Sequence, residues 1–234
     1  MKTSIILPTL NESHNIIKLL EEILKCLSGP SECIVVDDNS PDGTGKKIKQ
    51  LFQGNPRVRC YIRTKERGLG TAIGYGLLKA KGEKIVIMDS DFNHQPQYLL
   101  EFLQLLDKYD LVCGSRYLKG GGMPETPLRF WGSYFFNLYI RFLLNIKIKD
   151  SLSGFVGIKK STLNFLSEKQ KKTIFKGFGE WYIHLLWWAK KEKLKIKEIS
   201  IQYGSRLGDK SKMDFRKSII DYTKTVFWLR IKGL

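Results

Sequence analysis

Residues Val86-Ile87-Met88-Asp89-Ser90-Asp91-Phe92-Asn93-His94 pass abruptly from apolar to acidic. The apolar run from Ile85 to Met88 predicts a buried strand, so Asp89 and Asp91 fall at its carboxyl end, where open α/β sheets bind their ligands. A buried strand gains no stability from ending in two carboxylates. Residues i and i+2 of an extended chain share one side, so both acids can meet one hard divalent cation, Mg²⁺ or Mn²⁺, through oxygen. Such a cation would in turn hold a diphosphate. In isolation, Asp-x-Asp with Asn93 and Pro96 behind it also reads as a solvated turn; the rest of the chain decides.

Upstream, the same pattern recurs. Ser4-Ile5-Ile6-Leu7-Pro8 reads as a first strand, followed by Thr9-Leu10-Asn11-Glu12-Ser13 and a helix over roughly His14 to Leu27 with Ile16, Leu19, Leu20, Ile23, Leu24 and Leu27 at helical spacing. Cys33-Ile34-Val35-Val36 ends in Asp37-Asp38-Asn39-Ser40-Pro41-Asp42-Gly43-Thr44. A third strand near Val58 to Ile62 leads to Lys65-Glu66-Arg67-Gly68-Leu69-Gly70-Thr71-Ala72 and a helix from Ile73 to Ala80. After the acidic strand come a helix near Tyr98 to Leu106 and a fifth strand at Leu111-Val112-Cys113-Gly114-Ser115-Arg116. This alternation predicts an α/β fold with a Rossmann-like, doubly wound, mostly parallel sheet. Its acidic and glycine turns then collect along one edge. Asp37 and Asp38 are placed to accept hydrogen bonds from a nucleobase or ribose, and Gly68 and Gly70 let the backbone approach a ligand at a helix N-terminus.

The chain has 234 residues and a formal net charge of +17. Residues 1–115 carry 15 Lys and Arg against 14 Asp and Glu, whereas residues 116–234 carry 25 against 9. All five tryptophans lie in the second part. Basic charge interleaved with Trp and Tyr suits anionic lipid headgroups, and charge alone suits nucleic acid equally. The acidic strand ends argue against nucleic acid as a partner, since without a metal they repel phosphate. Cys26, Cys33, Cys60 and Cys113 have neither zinc nor disulfide spacing and read as reduced, mostly buried thiols. No signal region precedes the first strand, so a cytoplasmic location is expected.

Taken together, Pro8-Thr9-x-Asn11-Glu12, Val36-Asp37-Asp38-Asn39-Ser40-x-Asp42-Gly43-Thr44, Gly68-Leu69-Gly70-Thr71-Ala72 and Asp89-Ser90-Asp91 resemble the family-2 glycosyltransferases of the GT-A fold. Gly114-Ser115-Arg116-Tyr117, Asp150-Ser151-x-Ser153-Gly154-Phe155 and Arg206-x-x-Gly208-x-x-Ser211-Lys212 are similar to the dolichol-phosphate or polyprenyl-phosphate mannose synthase branch. The resemblance implies a nucleotide-sugar donor, GDP-mannose favoured, gripped around Pro8, Thr9, Glu12, Asp37 and Asp38. Asn11, Asn39, Asp42, Gly68, Gly70 and Asp89 belong to the same motifs. It also implies Mg²⁺ or Mn²⁺ on Asp89 and Asp91, with Asn93 at the third position, where the family often has the longer Gln. His94 reads as a loop residue or a neighbour of the ligands.

Sugar transfer from a nucleoside diphosphate builds negative charge on the departing diphosphate, which a divalent cation stabilises. A polyprenyl phosphate acceptor is already ionised and needs cationic groups to position it. Arg116, Arg206 and Lys212 are the candidates for that clamp, with Ser211 as a neighbour; Asp91, Arg116, Arg206 and Lys212 are therefore the candidate catalytic set. A single in-line attack inverts the anomeric configuration. Glu180 reads either as a second acid near the sugar or as a helix N-terminal carboxylate. Transfer of a UDP-sugar to a glycan keeps the fold without needing the 206–212 motif.

Residues 1–115 thus read as the nucleotide-sugar half and residues 116–234 as a helical, amphipathic, acceptor-side and membrane-facing half of one compact domain. Between Arg129 and Asn145 a polar residue recurs every fourth position: Arg129, Ser133, Asn137, Arg141, Asn145. Aromatic and aliphatic residues fill the remainder, which fits either an interfacial helix or a helix buried against the sheet. A further helix is expected over Asp214 to Leu234. With the chain ending there, contact with an anionic membrane would be peripheral or through a separate anchoring protein. Lys119 to Pro124 reads as a mobile loop over the acceptor groove.

Overall fold

The computed structural model describes residues 2–124, 127–204 and 215–233. Its strands are β1 (Thr3–Thr9), β2 (Ser31–Asp37), β3 (Val58–Ile62), β4 (Lys84–Ile87), β5 (Leu111–Ser115), β6 (Val156–Lys159) and β7 (Ile196–Ser200). They form one sheet in the order β3-β2-β1-β4-β6-β5-β7. The chain steps outward from β1 to β3 and returns on the other side of β1 at β4, which makes the β1/β4 junction the switch point where a crevice opens. Register brings the acidic ends level: Thr9 pairs with Asp37, and Ile6 pairs with Ile87, so Asp89 follows beside Pro8.

Between the strands lie α1 (Ile16–Cys26), α2 (Thr44–Leu51), α3 (Leu69–Lys79) and α4 (Leu99–Leu105), followed by α5 (Pro127–Leu144), α6 (Lys160–Leu163), α7 (Glu168–Ile174), α8 (Glu180–Lys191) and α9 (Phe215–Lys232). Alternate strand residues feed two cores. Ile6, Ile34, Val36, Ile85 and Ile87 pack under α3, α5, α8 and α9. Ile5, Leu7, Val35, Val86 and Met88 pack under α1, α2 and α4. Helix α1 is one turn's fraction shorter than its spacing predicts, and α3 begins at Leu69, four residues ahead of the expected Ile73. The glycine turn itself starts α3, because Gly68 accepts from the amide of Ala72.

Two strands lie outside the sequence-based expectation. β6 runs antiparallel between β4 and β5, and β7 adds parallel to β5 at the edge. The first is only four residues long, and Ile196-Lys197-Glu198-Ile199 of the second lies in a lysine-rich run with little apolar signal. The sheet therefore draws strands from both halves of the chain.

Helix α5 resolves its two readings in an unexpected way, because the middle of its polar stripe, Ser133 and Asn137, faces inward while Asn145 is exposed. Asn137 is 1% exposed; its Nδ2 donates to Ser133 O at 2.9 Å and its Oδ1 accepts from Ser151 N at 2.6 Å. Ser133 Oγ bonds the Tyr117 hydroxyl. Ile140 and Leu144 enter the core beside this stripe, while Leu128, Trp131, Phe135, Leu138 and Phe142 stand outward at three- and four-residue spacing. Leu128 is 89% and Phe142 84% exposed. Helix α9 packs on α5 and α8 through Tyr222, Val226 and Leu229 and exposes Ile220, Phe227 and Ile231. Among the described residues no helix is long and apolar enough to cross a membrane.

Candidate active site

A cavity of about 480 Å³ opens at the switch point. It is lined by Pro8, Thr9, Glu12, Asp38 and Gly68 at one end, by Asp89, Ser90, Asp91 and Asn93, and by Arg116 and Arg129 at the other. Nine of the residues singled out from sequence thus share one wall system: Pro8, Thr9, Glu12, Asp38, Gly68, Asp89, Asp91, Asn93 and Arg116. Asn11, Asp37, Asn39, Asp42 and Gly70 are not among its lining residues. They hold the loops that are. Asp37 accepts from the Ser40 amide at 3.0 Å and from its hydroxyl, and Ser40 Oγ accepts from Asn11 N. Asp42 accepts from Ser13 N and from Thr44 N and Oγ1, which ties the loop after β1 to the loop after β2. Asn39, at φ +53°, accepts from Arg67 through its carbonyl.

Asp38 is doubly engaged: Arg63 Nε donates to Oδ1 at 2.7 Å, and Gly68 N donates to Oδ2 at 2.7 Å. Arg63 also reaches Gly68 O and Thr71 Oγ1, so a buried ion pair fixes the glycine turn. A side chain at Gly70 would stand 2.5 Å from the Lys176 carbonyl oxygen, and Gly70 N donates to Gly177 O, so the turn sits directly on the loop before α8. Glu180 at the start of α8 turns back to accept from Phe178 N at 2.6 Å and is absent from the cavity lining, in keeping with the helix N-terminal reading.

The acidic turn is built from both sides. Ser90 Oγ donates to Pro8 O at 3.0 Å, and Asp91 accepts from Asn93 N at 3.1 Å and from Asn93 Nδ2 at 3.0 Å. Asn93 therefore braces a carboxylate with its amide nitrogen, and only its amide oxygen is left to face a cation. Phe92 takes φ +66° to make the turn. His94, fully buried, bonds inward; burial, its largest influence, pushes its imidazole down to about 4 despite the nearby Asp91 charge. Among the described residues no group of three His, Cys, Asp or Glu side chains could enclose a metal. Two carboxylates and an amide, all hard oxygen donors on a cavity wall, fit a Mg²⁺- or Mn²⁺-type ion that completes its shell with ligand phosphate and water.

At the far end, Arg116 Nε and Nη2 each lie 2.8 Å from Asp150, and the guanidinium stacks 4.7 Å from the Tyr203 ring centroid. Burial works to discharge Arg116, and Asp150 more than offsets it, holding its pKa above the ordinary value. The Asp150 main-chain amide in turn donates to Glu198 Oε1 at 3.2 Å, and burial raises the Glu198 carboxyl above its ordinary pKa. Arg206, Ser211 and Lys212 lie outside the described residues. The segment around Gly120 to Gly122 is hydrogen-bonded along Ile201 to Tyr203 rather than standing apart as a loop. A second cavity of about 120 Å³ between α5 and α9 shares Arg116, Arg129, Leu152 and Tyr222 with the first.

Arg129, Tyr203 and Tyr222 were not foreseen as site residues. Arg129 was visible as the first member of the polar stripe, but the stripe's inward direction was not. Burial holds the thiols of Cys33, Cys60 and Cys113 up at about 12, consistent with inert cysteines.

This arrangement is that of the GT-A glycosyltransferase fold. Glucosyl-3-phosphoglycerate synthase from Mycobacterium tuberculosis, solved with Mn²⁺, UDP and phosphoglyceric acid, superposes with a TM-score of 0.71 at 20% identity, over 98% of this chain and 78% of that one. The model of glycosyl transferase family 2 matches residues 4–166, and the chain belongs to that family. It is 31% identical over 240 residues to a dolichol-phosphate mannosyltransferase of Pyrococcus furiosus, covering 98% of this chain and 64% of that relative. It is 30% identical to an undecaprenyl-phosphate mannosyltransferase of Micrococcus luteus, covering 100% and 98%. The chain thus spans less than two thirds of the archaeal relative's length.

Proposed function

We propose that the protein is an inverting, metal-dependent glycosyltransferase that moves mannose from GDP-mannose onto a polyprenyl phosphate at the cytoplasmic face of a membrane. The observation that carries this reading is the polarity of one cavity, with carboxylates at the donor end, two arginines at the other, and a side groove between α5 and α9 at the arginine end. The printed activities of the relatives support it.

In this reading Pro8, Thr9, Glu12 and Asp38 contact the nucleoside, and Gly68 lets the backbone lie close to it. Asp89 and Asp91 hold the divalent cation, which supplies positive charge opposite the departing diphosphate. A phosphate oxygen of the acceptor attacks the anomeric carbon opposite the leaving group. The new carbon–oxygen bond forms as the bond to the diphosphate breaks, and that electron pair leaves with GDP. The acceptor is already ionised, so no general base is needed.

The two arginines divide the work on the acceptor. Arg116 is neutralised by Asp150, whereas among the described residues Arg129 forms no salt bridge. Arg129 is therefore the stronger attractor for the acceptor phosphate, joined by Arg206, Ser211 and Lys212. The outward faces of α5 and α9 lie in the membrane interface, with an anchoring protein as a further partner.

Labelled GDP-mannose, UDP-glucose and UDP-N-acetylglucosamine offered with a short polyprenyl phosphate and Mg²⁺ test the reading. Label in lipid from GDP-mannose alone is expected. Label from no donor, with nucleotide binding intact, would overturn it in favour of a glycan acceptor.

A further inference from the structure

We propose that His94 is a positioning residue: its imidazole, locked as the Nε2–H tautomer, fixes the main chain of Asp89 and so the direction of the first metal-binding carboxylate. The inference rests on the reading of Asp89 and Asp91 as metal ligands. It starts from a hydrogen bond whose direction is not open to choice. The Asp89 amide lies 2.8 Å from His94 Nδ1, and a backbone N–H can only donate, so Nδ1 must present its lone pair. The proton of the neutral ring is then on Nε2, which lies 3.0 Å from the Ser153 carbonyl, an acceptor.

Nε2 also lies 3.3 Å from the Tyr203 hydroxyl and 3.7 Å from Asp89 Oδ2, so the ring proton faces oxygen on every side. Phe155 stacks on the imidazole with centroids 4.6 Å apart and planes 11° from parallel. Tyr203 meets it edge-on at 5.4 Å and donates its hydroxyl to the same Ser153 carbonyl at 3.0 Å. The ring is 0% exposed, so water cannot substitute for either bond. The Arg116 guanidinium lies 4.7 Å from the same Tyr203 ring's centroid, so one aromatic pair joins the acidic end of the cavity to the arginine end. A carboxylate that must point at a cation needs its backbone fixed, because a turn with Phe92 at positive φ has no regular ladder to define Asp89.

Two substitutions separate this role from simple packing. In His94→Asn the side-chain oxygen takes the place of Nδ1 and keeps an acceptor for the Asp89 amide. In His94→Gln the longer amide reaches the Nε2 position and keeps a donor for Ser153, but leaves the Asp89 amide without its acceptor. Mn²⁺ binding, followed by the loss of the free-ion electron paramagnetic resonance signal in the presence of GDP, should be weakened about tenfold or more in His94→Gln and markedly less in His94→Asn. Equal weakening in both, or a weaker Asn variant, would overturn the proposal. Nitrogen-15 chemical shifts of the wild-type ring give an independent readout: protonated Nε2 with bare Nδ1 is expected, and a proton on Nδ1 would overturn it. Should the wild type take up no Mn²⁺, the metal reading fails and the positioning of a metal ligand fails with it. The nitrogen shifts then still report whether the tautomer lock exists.

Discussion

Arg116 and Arg129 bring the same charge to the same cavity, yet their surroundings give them different work. Arg116 is buried in a bidentate pair with Asp150, so removing it strands a buried carboxylate. Arg116→Ala should lower the unfolding free energy by about 3–5 kcal/mol, read from urea denaturation. Arg129→Ala should leave the denaturation midpoint nearly unchanged and raise the KM for polyprenyl phosphate by about 10- to 100-fold, the scale of a lost hydrogen bond to a charged group. A normal acceptor KM in that variant would remove Arg129 from the acceptor site. Residue types at this scale were legible in sequence, and their states were not. Asp38 lines the cavity, but the Arg63 guanidinium that pairs with it lies twenty-five residues away and carries no motif.

Among the elements, α5 shows most clearly how period and direction differ. Its four-residue polar repeat was plain in the sequence, and a polar stripe on a helix is ordinarily the solvated side. Here the middle of the stripe turns inward because its members find partners: Ser133, half-buried, in Tyr117, and Asn137, buried, in the Ser151 amide. The aromatic side is left outward. Fully burying one such side chain contributes about 1.5–3 kcal/mol, whereas a lysine near an anionic surface contributes about 1 kcal/mol. Phe135 and Phe142 should therefore matter more to membrane binding than any single lysine of α9. Phe135→Ser with Phe142→Ser should abolish cosedimentation with anionic lipid vesicles while Lys224→Ser only weakens it. Retained vesicle binding by the double variant would exclude this face as the docking surface. β6 and β7 escaped notice for a related reason: a four-residue strand and an alternating lysine-rich one have too little apolar signal, and only their neighbours in the sheet define them.

For the whole molecule, the nearly neutral first 115 residues supply the acidic wall of the cavity, and the basic remainder adds β6 and β7 to the sheet and supplies Arg116 and Arg129. The doubly wound core and the acidic strand ends were readable because each strand carries its own turn chemistry. The arginine end was less so, because it is assembled from α5, α9 and the turn after β5, which meet only in three dimensions. In the proposed function, this division of labour would depend on a cation at the junction, which Asp89 and Asp91 would hold. The most direct test follows label from GDP-mannose into a short polyprenyl phosphate, in wild type and in Asp91→Asn, first with chelator and then as Mn²⁺ is restored. Transfer by the wild type that stops with chelator and returns with Mn²⁺, together with a variant at least about 100-fold slower at every Mn²⁺ concentration, is the expected result. Undiminished transfer in chelator, or a fully active Asp91→Asn, would contradict it.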